Sequence, residues 1–599
     1  MLKQVGRTFD LLDNLIKTHP DKPDIFAIKR NGKWIKYSVK DYYNLSYNLA
    51  YALLSKGYGD LDKAISISNN CPEWNIIDMG LNMAGMVHVP VYPTLSQEKF
   101  TYIFNHSDAK LIFVGNDFLY NKIKPVIENL NHKVEIIIIN KEVENTKLSL
   151  LTSISDLYQI GLNVKDKYKD IVTDIKKNTS PNKMATLIYT SGTTGTPKGV
   201  MLSHNNMMFN AYIHAVKQII TDHDKMLSFL PLCHIYERSM NYEYQYIGIS
   251  IYYAESIGTI ARDLADSHAD GFCGVPRVLE MMYNKLESTG KDFTGIKRII
   301  YEWAWKLGNN FDNHNKKKYY LFKIKLADLL VYSKWREALG GHEMLVVSGG
   351  SSIQPKIIRL FNAAKLRIFE GYGMSETSPV IAANSPAQGS NFIGTVGKKM
   401  EGTDLKIAKD GEILTRGPHV MLGYYKDEKT TKKVIDTDGW FHTGDIGNFV
   451  DGENLKITDR KKEIFKLSAG KYIAPQVIEN LIRESPYIEN CIVIGENQKF
   501  TSAIIIPEYE RLHFWAAKHK ITYNDNDDLT INSKIIAKIH SEIEKTNLNL
   551  SPHEKIKREQ LINDKWDISN GLLSQTLKLK RKIILNKYSN IIQSIYKIT

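Results

Sequence analysis

Short runs of apolar and β-branched residues recur along this chain, and stretches with helical periodicity separate them. Turn-forming residues lie between the two kinds of segment. This alternation of strands and helices predicts an α/β architecture built on largely parallel sheets. The clearest predicted strands are 64–68, 111–114, 135–139, 187–189 and 344–347.

The chain has 599 residues, which is too long for one hydrophobic core; at roughly 150 residues per domain, about four folding units are expected. With 43% hydrophobic and 24% charged residues, its composition is that of a globular protein. The four cysteines lie far apart, so neither a disulfide framework nor a zinc cluster is indicated. No apolar run has the length of a signal peptide core or a membrane span, and we expect a cytoplasmic protein.

Basic residues outnumber acidic residues by 79 to 66, which leaves a net charge of +13. Such a balance suits anionic partners, among them nucleotides, CoA, nucleic acid and acidic lipid. Charge alone does not choose among them.

The second half of the chain changes character at about Gly394. Shorter predicted strands, at 394–397, 405–407 and 411–415, indicate a small β-rich subdomain. Strand and helix patterns resume after the charged segment 459–463, with helices predicted near 475–485 and 534–546. We therefore place a domain boundary at the charged segment.

The most distinctive local segment is residues 189–200, directly after the apolar run 185–188. It contains three glycines, five hydroxyl side chains besides Tyr189, and Lys198. Backbone N–H groups, hydroxyls and one positive charge in a loop after a strand can surround phosphate oxygens. It is not a Walker A loop, because Pro197 precedes the lysine and Gly199 stands where that motif has Ser or Thr.

This segment resembles the signature loop of the acyl-adenylate-forming enzymes, the superfamily of acyl-CoA synthetases, luciferases and peptide-synthetase adenylation domains. Further motifs of that superfamily follow in the same order, and the similarity covers essentially the whole chain. Residues 231–238 and 274–280 look most like the long-chain fatty acyl-CoA synthetase branch. The remaining matching motifs are 348–352, 371–377, 442–445, 459–462 and 578–581.

The resemblance implies a large N-terminal adenylation domain of stacked α/β sheets with the β-rich subdomain, residues 1–458, which binds ATP and the acyl group. A hinge at 459–462 would connect it to a smaller, mobile α+β C-terminal domain, residues 463–599. Lys462 matches the hinge position of the family. Rotation about it would let Lys578 and the segment around Gly470 take turns at one active site.

Several residues match positions that bind ATP in the family. Tyr372 would stack on adenine, Ser375 would contact phosphate, and Glu376 would hold Mg²⁺, which prefers oxygen ligands. Asp445 would accept hydrogen bonds from the ribose hydroxyls, and Arg460 would contact ribose or phosphate. The other residues implied to bind ATP are Thr190, Ser191, Gly192, Thr193, Thr194, Gly195, Lys198, Gly350, Ser351 and Gly373.

The resemblance also implies the catalytic residues and the path of the other substrates. Lys578, together with Glu376 and Thr190, would carry the catalysis. Gly470 would lie beside the pantetheine of CoA. His234 could be a general base or a packed core histidine, and its place in the motif favours a position along the acyl pocket; Glu237 and Arg238 could pair with each other.

Residues 316–326 are basic and aromatic, and they lie between two of the motifs. Basic amphipathic stretches can sit on anionic membranes, into which fatty acids partition. A solvated helix packed on its own domain explains the same pattern equally well.

The sequence as a whole predicts ATP-dependent activation of long-chain fatty acids to acyl-CoA, through an acyl-adenylate and with release of AMP and pyrophosphate. Mg²⁺ is the expected cofactor, ATP and CoA are the expected co-substrates, and no nucleic acid partner is expected. One alternative is transfer of the acyl group to an acyl-carrier protein. A second is a non-catalytic protein that binds lipid under nucleotide control.

Overall fold

A computed structural model of the chain describes residues 4–140, 151–191, 196–217, 219–313, 317–385, 391–567, 570–574 and 579–597. The chain divides into two compact units, which are described separately below. The first consists of residues 1–405 with 415–441, and the second of 406–414 with 442–599.

The strands follow one another along the chain with helices between most of them. The first sixteen are β1 (Phe26–Arg30), β2 (Lys33–Tyr37), β3 (Lys63–Ile67), β4 (Val87–Pro90), β5 (Leu111–Val114), β6 (Glu135–Ile138), β7 (Thr152–Ser153), β8 (Met184–Ser191), β9 (Pro197–Ser203), β10 (Lys225–Ser228), β11 (Ser250–Tyr253), β12 (Gly271–Gly274), β13 (Met344–Ser348), β14 (Leu366–Gly373), β15 (Val380–Ala383) and β16 (Lys398–Lys399). The remaining ones are β17 (Asp404–Ile407), β18 (Glu412–Arg416), β19 (Gly423–Tyr424), β20 (Phe441–Val450), β21 (Asn454–Arg460), β22 (Phe465–Lys466), β23 (Tyr472–Ile473), β24 (Ile488–Ile494), β25 (Thr501–Pro507) and β26 (Ile556–Leu561).

Serine side chains begin several of the helices: Ser38, Ser153 and Ser203 each accept the backbone N–H three residues later. The helices are α1 (Thr8–Thr18), α2 (Val39–Ser55), α3 (Pro72–Met83), α4 (Gln97–Ser107), α5 (Asp117–Ile127), α6 (Ile154–Asn178), α7 (His204–Ala215), α8 (Ile235–Ile247), α9 (Ile260–Ser267), α10 (Pro276–Lys291), α11 (Gly295–Asn309), α12 (Lys318–Ala327), α13 (Ser333–Glu337), α14 (Pro355–Ala363), α15 (Glu428–Val434), α16 (Pro475–Ile482), α17 (Tyr509–Lys518), α18 (Asn526–Ile531), α19 (Ser533–Asn547), α20 (Arg581–Lys587) and α21 (Ser589–Lys597). Short 3₁₀ turns lie at Ile257–Thr259 and Ser375–Thr377, and a π-helical turn lies at Asp328–Tyr332.

Two large sheets organise the first unit. One has nine strands in the order β16-β15-β14-β13-β12-β10-β11-β1-β2, and the other has eight in the order β19-β9-β8-β4-β3-β5-β6-β7. The neighbouring strands β10, β12, β13 and β14 of the first sheet are paired in parallel, as are β3, β5 and β6 of the second. The predicted α/β fold is confirmed, and each of the five clearest predicted strands coincides with a strand of these sheets.

Two helices are buried along almost their whole length, which explains how the sheets share a core. Every residue of α3 is buried, and α3 contacts β4 of one sheet and β1 of the other. Helix α8 is buried from Ile235 to Tyr246. Because these helices carry polar side chains into the interior, their partners bear directly on the site described below.

One predicted strand is wrong. Residues 394–397 form a turn, and the strand β16 begins only at Lys398. Gly394 and Gly397 adopt φ angles of +91° and +76°, which a strand does not use. A Cβ on Gly397 would lie 2.2 Å from Ala383, so glycine is required for this close approach.

The second unit contains the three-stranded sheet β24-β25-β26 and the two-stranded sheet β22-β23, with the predicted helical segments present as α16 and α19. The four-stranded sheet β17-β18-β20-β21 is the β-rich part that was expected after residue 394. Within the residues that the structure describes, no helix has the length and apolarity needed to cross a membrane.

Candidate active site

Four neighbouring parallel strands of the nine-stranded sheet end at the motifs that the sequence singles out. The strands β10, β12, β13 and β14 lie side by side in this order. Residues 231–238, 275–277 and 349–350 follow β10, β12 and β13, respectively, and β14 ends in residues 371–373. Since ligands of open α/β sheets bind outside the carboxyl ends of the strands, this edge is the candidate site.

Glycine is required at this edge for close packing of the backbone. A Cβ on Gly373 would lie 1.8 Å from the carbonyl oxygen of Pro379, and one on Gly349 would lie 3.2 Å from the ring of Tyr236. Gly350 has a φ of +87°. The Tyr236 hydroxyl donates to the carbonyl oxygen of Val347 at 3.0 Å, which fixes this ring beneath the glycine pair.

The predicted adenine and phosphate residues differ in their exposure. Tyr372 and Ser375 are each only 8% exposed, whereas Ser351 is exposed. Tyr372 lies opposite Ala382 in the antiparallel pair of β14 with β15. Their assignment to adenine and phosphate stays a prediction.

The predicted phosphate loop connects β8 to β9, which form an antiparallel hairpin. Thr190 pairs with Lys198, and Ser191 pairs with Pro197. Gly192, Thr193, Thr194 and Gly195 lie outside the described residues. The pairing of β8 with β9 thus holds the two ends of the loop together.

Tyr424 brings the loop lysine and the predicted metal ligand together. Its hydroxyl donates to Oε1 of Glu376 at 2.8 Å, and Nζ of Lys198 lies 4.9 Å from the centre of its ring. That distance is within the range of a cation–π contact. Burial, with the neighbouring Glu376 carboxylate, raises the pKa of the Tyr424 hydroxyl, so that it remains a hydrogen-bond donor.

Tyr424 was not predicted from the sequence, because its position depends on a distant strand pairing. Strand β19 carries Tyr424 and pairs antiparallel with β9, where Tyr424 lies opposite Val200. The pairing joins segments more than two hundred residues apart. The only signal in the sequence is that a Gly-Tyr-Tyr segment lies within the β-rich region.

The turn that carries Glu376 is held from two sides. Asn210 donates to the carbonyl oxygen of Thr377 at 3.2 Å and accepts the N–H of Val380 at 3.1 Å. The N–H of Met421 donates to the carbonyl oxygen of Glu376 at 2.9 Å. These bonds fix the backbone on which the carboxylate stands.

The donor set around Glu376 fits Mg²⁺. It offers a carboxylate oxygen, and Mg²⁺ takes oxygen ligands, usually one or two carboxylates together with phosphate oxygens. Among the residues that the structure describes, no three His, Cys, Asp or Glu side chains cluster in a way that could hold a metal alone. The arrangement therefore suits a metal that arrives with a phosphate ligand.

In the second unit, the two predicted ribose residues lie side by side. Asp445 of β20 pairs with Arg460 of β21, and Nε of Arg460 lies 3.1 Å from Oδ1 of Asp445. Asp445 is only 4% exposed, and its N–H donates to Oγ1 of Thr443. The ion pair fixes the orientation of the carboxylate that is predicted to bind ribose.

The predicted hinge residue and the predicted pantetheine residue are both exposed. Lys462 directly follows Lys461, whose Nζ lies 2.7 Å from Asp410 and 2.8 Å from Glu412. Gly470 has a φ of +82° in the turn between β22 and β23. The space around a Cβ there is open, with the nearest atom 3.7 Å away on Lys466.

Lys578 lies outside the described residues, but the chain after it is firmly attached. The N–H of Lys580 donates to Leu572, and the buried Arg581 forms an ion pair with Glu479 and donates to the carbonyl oxygen of Val493 at 2.9 Å. Arg581 is thus not part of a solvated charged face. It holds the end of the predicted catalytic segment to α16 and β24.

The comparisons with known proteins agree with this arrangement. The family described as AMP-binding enzyme matches residues 12–425, and the AMP-binding enzyme C-terminal domain matches residues 462–599. The chain belongs to the AMP-binding enzymes. The two matches cover the motifs from the phosphate loop to residues 371–377 and the motif at 578–581, whereas 442–445 and 459–461 lie between them.

Relatives of this AMP-binding enzyme are similar over almost their whole length. Long chain acyl-CoA synthetase 6, peroxisomal, of Arabidopsis thaliana is 30% identical, with 97% of this chain and 88% of the relative covered. The long-chain-fatty-acid–CoA ligase FadD15 of Mycobacterium tuberculosis is 31% identical over 99% of this chain and 98% of its own. Long-chain-fatty-acid–CoA ligase 1 of Homo sapiens is 31% identical over 94% and 82%.

Solved structures share the fold. The anthranilate CoA ligase AuaEII in complex with anthranoyl-AMP has a TM-score of 0.70 and 16% identity, covering 97% of each chain. O-succinylbenzoate Coenzyme A synthetase from Bacillus subtilis, in complex with ATP and magnesium ion, has a TM-score of 0.65 and 17% identity, covering 96% of this chain and 98% of its own.

A buried polar network lies behind the site of this AMP-binding enzyme. Glu237 and Arg238 do not pair with each other as expected; Arg238 instead forms an ion pair with Asp78 and donates to Oγ1 of Thr186 at 2.7 Å. Nδ1 of His88 lies 2.8 Å from the same Asp78 carboxylate. Burial alone would raise the pKa of Asp78, but Arg238 and His88 lower it to about 2. The network ties α8 to strand β8, which leads into the phosphate loop.

His234 marks the beginning of α8. It is half-buried, and its Nδ1 accepts the backbone N–H of Tyr236 at 3.2 Å. That bond caps the helix N-terminus, which is a structural role. A position along the acyl pocket stays a prediction.

Glu237, next on α8, is a buried carboxyl with a raised pKa. Ser228 donates to its Oε1 at 2.5 Å, and burial raises the pKa of Glu237 to about 8. Between pH 4.5 and about 8, the Glu237 carboxyl is therefore protonated in the folded protein and ionised in the unfolded chain.

We expect Glu237→Gln to flatten the pH dependence of stability. The wild-type free energy of unfolding should fall by at most about 1.4 kcal/mol per pH unit as the pH rises through that window, because the unfolded state releases the proton first. The Gln variant cannot titrate there and should lack this contribution. Denaturant unfolding at several pH values measures it, with the exposed Glu302→Gln as the control; equal slopes in all three proteins would contradict the assignment.

Proposed function

We propose that this AMP-binding enzyme is a long-chain fatty acyl-CoA synthetase. It would activate a fatty acid with ATP to an acyl-adenylate and pyrophosphate, and then transfer the acyl group to CoA with release of AMP. The observation that carries the proposal is that Tyr424 joins two predicted site residues. Lys198 lies over its ring, and Glu376 accepts a hydrogen bond from its hydroxyl, beside a strand edge built from glycines. The relatives named long-chain acyl-CoA synthetases support the substrate class.

In the first half-reaction, a carboxylate oxygen of the fatty acid attacks the α-phosphorus of ATP. A new P–O bond forms, and the bond to the bridging oxygen of pyrophosphate breaks, so that no proton transfer is needed. Lys198, Thr190, Ser191 and the loop 192–195 stabilise the phosphate charge, and Lys578 reaches the reacting carboxylate and α-phosphate. Glu376 would hold Mg²⁺, which would supply positive charge to the phosphate oxygens when bound.

The same proposal assigns the nucleoside contacts. Adenine binds against Tyr372 and the glycines of the strand edge, Gly350 and Gly373, with Ser351 beside them and Ser375 on a phosphate. Asp445 accepts hydrogen bonds from the ribose hydroxyls, and Arg460 orients that carboxylate. The ion pair between these two side chains supports the assignment, since it holds the acceptor in a single orientation.

In the second half-reaction, the sulfur of CoA attacks the carbonyl carbon of the acyl-adenylate. The S–C bond forms, the bond to the AMP oxygen breaks, and the thiol proton passes to solvent. Gly470 leaves room for pantetheine because it carries no side chain, and Lys462 supplies the backbone rotation that exchanges the two half-reactions. His234 lies along the acyl path.

An acyl-carrier protein as acceptor is the second candidate within the same chemistry, and a lipid-binding protein without catalysis is a rival from another class. A panel of carboxylic acids from acetate to oleate, assayed for AMP release with and without CoA, separates them. We expect CoA-dependent AMP release that is greatest with the long acids. ATP–pyrophosphate exchange without AMP release on addition of CoA would point to another acceptor, and no exchange with any acid would contradict an enzyme.

The proposal includes reversible association with an anionic membrane, where a long-chain acid is concentrated. The basic charge of the chain and the exposed Lys317, Lys318 and Lys325 support it. Lys316 lies outside the described residues.

A further inference from the structure

Helix α12 and the π-helical turn that follows it expose large apolar side chains to solvent. Tyr319 is 71% exposed, Phe322 62%, Leu326 38% and Leu329 72%. Spacings of three, four and three residues place these side chains on one face of the helix, and we call them the apolar stripe. The solvent-facing side of a surface helix normally carries polar residues at such positions.

The opposite face of α12 is attached to the first unit, so the exposure of the stripe does not come from a loosely held helix. The hydroxyl of Tyr320 accepts the N–H of Asp312 at 2.9 Å, and its ring stacks on Phe311 with centroids 6.4 Å apart. Ala327 is completely buried. Farther on, the buried Tyr332 donates to the carbonyl oxygen of Ala304 at 2.6 Å.

Lysines border the stripe. Lys318 and Lys325, seven residues apart, lie on one flank, and Lys323 lies on the other with its Nζ 4.3 Å from the centre of the Tyr319 ring. Helix α12 contains no acidic residue. The acidic residue that follows it, Asp328, is already paired with Arg336 and Lys365.

Apolar side chains bordered by basic ones match the interface of an anionic bilayer. There the apolar face enters the boundary of the acyl chains while the lysines remain at the lipid phosphates. We propose that the apolar stripe is a membrane-docking surface, with Lys318, Lys323 and Lys325 bound to anionic headgroups. This inference deepens the proposed function and rests on it for the reason to dock, since the substrate resides in the bilayer.

The charge requirement is tested with vesicles of phosphatidylcholine that contain phosphatidylserine. Changing Lys318, Lys323 and Lys325 to Gln together should lower the partition coefficient about a hundredfold, because each lysine near the surface contributes about 1 kcal/mol. The matched control changes the exposed Lys165, Lys167 and Lys169 of α6 to Gln and should leave binding within about twofold. Vesicles of phosphatidylcholine alone should bind the wild type weakly.

Insertion is tested separately by a probe on the stripe. All four native cysteines are buried, so Phe322→Cys provides one accessible thiol for an environment-sensitive dye. Its emission should shift to shorter wavelength on addition of the anionic vesicles. The same dye at Phe118→Cys, a 74% exposed position on α5, should not respond. The double variant Phe322→Ser with Leu329→Ser should lower vesicle binding at least about tenfold.

Three results would overturn the docking surface: an unresponsive dye at position 322, vesicle binding unaffected by the lysine changes, or concentration-dependent self-association that Phe322→Ser abolishes. The last would assign the stripe to a second copy of the chain. Acyl-CoA formation from dissolved dodecanoate without vesicles distinguishes this failure from that of the proposed function. All stripe variants should retain wild-type rates there, whereas an inactive wild type would contradict the function and leave the vesicle results standing.

Discussion

ATP–pyrophosphate exchange should fall about a thousandfold in Glu376→Ala, while the affinity for fatty acid should remain close to wild type. The carboxylate that is predicted to hold Mg²⁺ stands on a turn fixed by Asn210 and accepts a hydrogen bond from Tyr424. Its removal should therefore affect charge at the phosphates and leave the acyl pocket unchanged. Exchange kinetics over a range of Mg²⁺ concentrations, with equilibrium binding of a fatty acid, measure the two quantities.

Tyr424→Phe is the matched control for this variant. It removes the hydroxyl that donates to Glu376 but keeps the ring against Lys198, and we expect a loss of about tenfold or less. If Glu376→Ala kept near wild-type exchange at limiting Mg²⁺, Glu376 would not be the metal carboxylate.

Substitutions at Lys578 should impair the first half-reaction, whereas substitutions at the predicted hinge and in the turn at Gly470 should impair the second. Lys578→Ala should lower acyl-AMP formation by about a hundredfold or more and still convert supplied acyl-AMP to acyl-CoA, because this lysine is proposed to act only in the first step. Lys462→Pro and Gly470→Leu should keep acyl-AMP formation and lose thioester formation. Proline fixes φ near −65° at the hinge, and a leucine side chain obstructs the thiol.

Gly470→Leu needs a control, because its φ of +82° disfavours any residue with a Cβ. Gly452 has a φ of +83° in open space on the same unit, so Gly452→Leu imposes the same backbone strain away from the predicted pantetheine path. It should retain both half-reactions. Equal loss of both halves in all the variants would contradict the alternation of two active conformations.

Local patterns in the sequence were sufficient for much of the fold. The strand alternation, the helices α16 and α19 and the strand before the phosphate loop each depend on residues that are neighbours along the chain. The turn at 394–397 was mistaken for a strand, because alternating small and apolar residues do not reveal the positive φ of Gly394 and Gly397.

The candidate site was less accessible to sequence reasoning where its contacts are distant. Tyr424 reaches Glu376 only because β19 pairs with β9, and Arg238 finds Asp78 rather than its neighbour Glu237 because α3 and α8 are both buried in the core. Neither partner choice follows from spacing or residue type. The motifs predicted candidate site residues, and tertiary packing decided which of them touch.

The buried cysteines have a chemical consequence for an enzyme that makes acyl-adenylates. An acyl-adenylate is a mixed anhydride that acylates any accessible thiolate, including one of the protein's own. Cys71, Cys233, Cys273 and Cys491 are all buried, and burial raises the pKa of each thiol. Cys233 directly precedes His234 on the predicted acyl path, yet it remains a protonated, enclosed group. Burial and a raised pKa therefore make each of these thiols a poor acceptor for an activated acyl group.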